Sequence, residues 1–114
     1  MLDRQKFDDN FRSIDKEVII SIINTFEVEL PRRFDQIHEN ILEKDFRPLA
    51  FNIHSLKGIV GVFTAEVPLK LAQELEILAN KNIAQDMIPI YEELKSASET
   101  LLIELIKIRK ELSA

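Results

Sequence analysis

The segment Phe46-Arg47-Pro48-Leu49-Ala50-Phe51-Asn52-Ile53-His54-Ser55-Leu56-Lys57-Gly58-Ile59-Val60-Gly61-Val62-Phe63-Thr64 decides the fold. Its apolar residues Leu49, Ile53, Leu56, Val60 and Phe63 recur three or four positions apart, the period of one face of an α-helix. At about 100° per residue, with His54 at zero, that apolar set centres roughly 140° from the imidazole. The apolar side is the core side, so His54 is expected to face outward. A buried structural histidine is the competing reading of a lone imidazole in an apolar helix, and the period argues against it.

The same period extends in both directions. Upstream, after Asp15 as N-cap, Ile19, Ile22, Ile23, Phe26, Leu30, Phe34, Ile37 and Ile41 form one stripe, interrupted by Pro31, where a kink or break is expected. Glu43-Lys44-Asp45 is a polar stop, with Asp45 capping the segment quoted above. Downstream, Thr64 is expected to cap a helix carrying Leu71, Ala72, Leu75 and Leu78, which ends near Asn80-Lys81-Asn82. Asp86 then opens the stripe Ile90, Leu94, Ala97, Leu101, Leu105, Ile108 and Leu112. Pro48, Pro68 and Pro89 follow the proposed caps by three or four residues, where amides lack intrahelical acceptors. No stretch alternates as a strand does. The expectation is an all-α antiparallel four-helix bundle, one domain over residues 1–114, with residues 1–14 as an amino-terminal extension that can form a short extra helix. The last stripe also suits a coiled-coil seam, but its partners within the chain favour the bundle and a monomer.

Composition narrows the function. The chain has 114 residues, a net charge of −5 and no cysteine, so disulfides and thiolate metal sites are excluded and a reducing cytoplasm is the expected setting. Lysine and arginine are scattered, which argues against nucleic acid or an anionic membrane as partner and for another protein. Neither a signal peptide nor a spanning segment is expected.

The chemistry gathers around His54. Gly58 and Gly61, the chain's two glycines, project within about 40° and about 20° of the imidazole, one and two turns further on. Glycine inside a helix costs about 1 kcal/mol relative to alanine, so the pair requires a reason. Bare backbone beside the ring would admit a partner or a phosphoryl group; the alternative, close helix packing, suits glycines on the core side. Lys57 lies within reach of any group attached to the ring. Arg47, Ala50 and Phe51 fall on or near the same side and suggest a docking patch. His38, in Gln36-Ile37-His38-Glu39, has no comparable setting, and it forms no metal-ligand spacing with His54. No metal, cofactor or ATP loop is expected.

His54-Ser55-Leu56-Lys57-Gly58, followed by Gly61, Phe63 and Leu75-Glu76, resembles the histidine phosphotransfer (HPt) domain family of two-component phosphorelays. The resemblance covers most of the chain. It implies a four-helix bundle whose histidine accepts a phosphoryl group on Nε2 and exchanges it with aspartates of response-regulator receiver domains, within pathways fed by sensor or hybrid histidine kinases. It implies that Lys57 steadies the phosphoryl group, that Glu76 accepts a hydrogen bond from Nδ1, and that Gly58 and Gly61 clear the docking surface. Magnesium would be supplied on the receiver, and the chain would be a carrier without kinase activity. Val62 and Thr64 depart from the small or polar residue and the glycine usual at these positions, which bears on the helix junction. Two other readings stand beside this one. One is a helical adaptor with His54 idle; the other is a phosphoacceptor domain cut from a chemotaxis-type or hybrid histidine kinase.

Overall fold

The computed structural model describes residues 2–114; Met1, the first residue of the expected extension, lies outside them. The chain forms five helices and, among the described residues, no strand: α1 (Arg4–Phe11), α2 (Lys16–Glu43), α3 (Phe46–Gly61), α4 (Glu66–Asn80) and α5 (Met87–Ser113). Helices α2 to α5 pack in a ring, each against its neighbours in sequence, with α5 closing against α2. This is the antiparallel bundle the stripes require. At about 1.5 Å per residue, α2 alone spans about 42 Å, close to the molecule's 45 Å long axis. Among the described residues, no helix is long and apolar enough to cross a membrane.

The stripes are buried as their periods demand. Leu49, Ile53, Leu56, Val60 and Phe63 are almost wholly inaccessible, as are Ile23, Phe26, Phe34 and Ile37 of α2 and Leu94, Leu101 and Leu105 of α5. The extension does form an extra helix. Asp3 caps α1 by accepting from the Lys6 amide at 3.1 Å. Its Phe7 and Phe11 enter the common core, with Phe11 stacked on Phe63 and Phe63 edge-on to Phe26.

Two junctions differ from expectation. Pro31 does not break α2, which runs unbroken from Lys16 to Glu43. Proline removes one ladder hydrogen bond, but buried Phe26 and Leu30 before it and Phe34 and Ile37 after it hold both halves to the same core. Nor is Thr64 a helix cap: α4 begins at Glu66 with Ala65 at the N-cap. Thr64 adopts φ 51, the left-handed region in which a β-branched side chain is crowded. The reversal from α3 to α4 is made in four residues, 62–65, and the left-handed residue falls where the family resemblance leads one to expect glycine. Asp15, Asp45 and Asp86 do stand at the N-caps of α2, α3 and α5, though none of their carboxylates bonds a first-turn amide. Pro48, Pro68 and Pro89 each occupy the third residue of a helix, where the proline nitrogen forfeits no intrahelical bond.

Candidate functional site

With one face of α3 fixed in the core, the opposite face has no choice but solvent. His54, near the middle of α3, has a side chain 71% exposed. Gly58 and Gly61 follow along that face, and a Cβ at either would meet nothing within 4 Å. Close helix packing therefore does not account for these glycines. Neither has positive φ, so backbone conformation does not require them either. What they produce is an open strip of main chain beside the imidazole.

The α3–α4 contact supplies the polar half of the site. Glu76 of α4, its side chain only 17% exposed, faces His54 Nδ1 at 3.0 Å through Oε2 and accepts from Lys57 Nζ at 2.7 Å through Oε1. Burial alone would raise the Glu76 carboxyl above its ordinary range, but the hydrogen bonds from Lys57 and His54, with their charges, outweigh it and the net direction is downward. Glu76 is thus a carboxylate at neutral pH, able only to accept. The hydrogen between it and the ring must then be carried by Nδ1, which leaves the Nε2 lone pair directed away from Glu76. The arrangement can present a nucleophilic nitrogen on an exposed ring whose other nitrogen faces a largely buried acceptor.

Phe51 is 71% exposed, and Arg47 is also exposed, on the turns preceding His54. Ala50 is mostly buried and packs on the core, so it borders the open face rather than standing on it. His38 takes no part: its ring stacks on Tyr91 of α5 at a centroid distance of 5.2 Å. Sequence reasoning missed the apolar residues that flank the site. Val62 and Ile77 are about half exposed. A groove of about 230 Å³ opens between α2 and the end of α3, lined by Ile22, Thr25, Phe26, Glu29, Ile59 and Val62. Ile59 and Val62 project to the α2 side of His54, which a helical projection could have shown; the α2 partners depend on the register between two helices.

No curated protein and no solved structure matches the chain. The family model for the Hpt domain does, over residues 21–110, a span that contains α3, α4 and nearly all of α2 and α5. Members of this family are phosphocarriers rather than kinases, and they work with receiver domains and histidine kinases in two-component signalling. With the match covering most of its length and the bundle formed as that family requires, the chain belongs to the Hpt domain family.

Proposed function

We propose that His54 is the phosphoacceptor of a phosphorelay. The Nε2 lone pair of neutral His54 attacks the phosphorus of a receiver phosphoaspartate. The P–N bond forms as the P–O bond to the aspartyl oxygen breaks, with the electron pair leaving on the receiver carboxylate. Nδ1 keeps its hydrogen, and the phosphorylated ring becomes cationic beside Glu76, which stabilises it. Attack by the carboxylate of a second receiver reverses these steps. Lys57 offsets charge on the transferring group. Magnesium and most of the transition-state stabilisation belong to the receiver, and the chain acts as a cytoplasmic monomer.

The observation that carries this reading is the 3.0 Å contact between His54 Nδ1 and Glu76 Oε2, which frees Nε2 on an exposed face. Receivers dock there, over Phe51, Arg47, Gly58 and Gly61 with Ala50 at the edge, because this surface reaches the ring without side-chain obstruction. Incubation with a phosphorylated receiver, or with a histidine kinase, its receiver and ATP, is expected to place acid-labile, alkali-stable phosphate on the protein, and His54→Gln is expected to remove it. Label retained by His54→Gln would reassign the acceptor. Failure to label the parent chain with any receiver of its source organism would leave a helical adaptor.

A further inference from the structure

Ser98 lies on the core side of α5 with no accessible surface, and its hydroxyl has no hydrogen-bond partner among the described residues. Other hydroxyls on the helices bond their own backbone: Thr25 donates to the Ser21 carbonyl, Thr100 to that of Ser96 and Ser113 to that of Arg109, each four residues back. Ser98 does not take this bond. A buried hydroxyl left unpaired is costly, so what it faces matters.

The contacts on either side of Ser98 fix its outlook. Tyr91, two turns before it, donates from its hydroxyl to the Phe34 carbonyl at 3.1 Å and stacks on His38. Arg109, three turns after it, donates to Asn24 at 2.7 Å and Glu27 at 2.8 Å. All four partners are on α2. At about 100° per residue, Tyr91, Ser98 and Arg109 fall within about 20° of one another on α5, so Ser98 faces α2 as well. The strip of α2 opposite them runs from Asn24 and Glu27 to Phe34 and His38, and Pro31 stands in its middle, within about 40° of Glu27 and about 20° of His38. Proline has no amide hydrogen, so the Glu27 carbonyl, four residues before it, lacks its ladder donor. A hydroxyl without a partner on α5 thus faces the stretch of α2 where a carbonyl needs a donor, and no direct bond joins the two.

We propose that one water molecule is bound in the α2–α5 seam, accepting a hydrogen bond from the Ser98 hydroxyl and donating one to the Glu27 carbonyl. Two protein partners are within the range that holds a buried water. The site accounts for two facts together: a core hydroxyl that ignores its own helix, and a helix that runs unbroken through Pro31. It is independent of the chemistry at His54.

Urea unfolding of Ser98→Ala, Pro31→Ala and the double variant tests this through the sign of one change. A hydroxyl that is merely unpaired is better removed, since alanine carries no polar atom and favours the helix; Ser98→Ala would then stabilise the chain. With the water in place, Ser98→Ala removes its donor and is expected to shift the unfolding equilibrium about fivefold toward the unfolded chain, the worth of about one hydrogen bond. Pro31→Ala restores the amide and relieves the carbonyl, so adding Ser98→Ala to it is expected to be neutral or stabilising. Stabilisation by Ser98→Ala in the parent, or the same loss in both backgrounds, would overturn the inference. Diffraction from crystals of the full chain is expected to show the water about 3 Å from both Ser98 Oγ and the Glu27 carbonyl oxygen. Ser98 Oγ bonded directly to protein there would overturn it as well.

Discussion

Glu76 is pulled in two directions: burial favours its protonated form, and the hydrogen bonds from Lys57 and His54 favour its charged form and prevail. A carboxyl whose folded pKa lies below its unfolded value of about 4.3 contributes stability that is present above that pH. The contribution is lost as pH falls through the depressed folded value. Glu76→Gln has no such titration at position 76. The stability difference between the parent and Glu76→Gln, from urea unfolding across a pH series, is therefore expected to be largest above about pH 5 and to shrink steadily below about pH 4. A difference independent of pH would mean that the carboxylate's two bonds do not favour its charged form. Gly58 separates stability from function at the same face. A Cβ there meets nothing within 4 Å and the backbone is ordinary helix, so Gly58→Ala is expected to stabilise the fold by about 1 kcal/mol. If a receiver approaches that strip closely, the added methyl costs about 1–3 kcal/mol of docking, slowing phosphotransfer by about 5- to 150-fold. A higher melting temperature with unchanged transfer would remove Gly58 from the docking surface.

At the scale of the helix, α2 shows where sequence period prevails over a local breaker. The 3.6-residue stripe continues across Pro31 without a change of phase, and the structure follows the stripe. Pro31 is exposed, so its replacement disturbs no core contact. Proline inside a helix is about 3 kcal/mol less favourable than alanine, partly offset by its restriction of the unfolded chain. Pro31→Ala is expected to stabilise the protein by about 2 kcal/mol, raising the thermal midpoint by several degrees; an unchanged midpoint would show that α2 has already absorbed the defect. The same comparison shows what a single sequence makes legible. The core faces of α2, α3 and α5 and the outward turn of His54 follow from period alone, because burial of a stripe fixes the azimuth of every residue on its helix. The α3–α4 turn does not, since Thr64 looks like a helix cap and becomes a left-handed residue only when a four-residue reversal must be closed. The family resemblance pointed to Glu76 as the partner of Nδ1. Its sharing between His54 and Lys57 depends on the register of α4 against α3, which no residue pattern within either helix encodes.

In the whole molecule, α1 closes the end of the bundle where α2 and α4 begin and α3 and α5 finish. Its short length hid this from period analysis, because two aromatics four residues apart make too brief a stripe to distinguish a docked helix from a loose extension. Phe7 and Phe11 are nonetheless buried, and a run of rings passes from Phe7 through Phe11 and Phe63 to Phe26. Polar contacts brace the same end, from Leu2 N to Glu104, Arg4 to Glu111 and Lys6 to Glu66. The charged pairs among them are solvent-exposed, so each contributes little, and the rings carry most of the attachment. Phe11→Ala removes the ring between α1 and Phe63 and is expected to destabilise the fold by about 3–5 kcal/mol. Local opening should begin there. Amide hydrogen exchange is expected to speed up first over Val60–Ala65, where α3 ends and the strained Thr64 turn lies, and last at the far end around Ile37–Ile41. His54 stands seven residues before Gly61, where α3 ends, about 10.5 Å along the helix, so the folded fraction of Phe11→Ala should retain its bond to Glu76. Unchanged exchange at Val60–Ala65 would show that α1 lies on the bundle without supporting it. Faster exchange there, with the tautomer of His54 preserved, would establish that the end capped by α1 and the face carrying His54 are held by separate parts of one core.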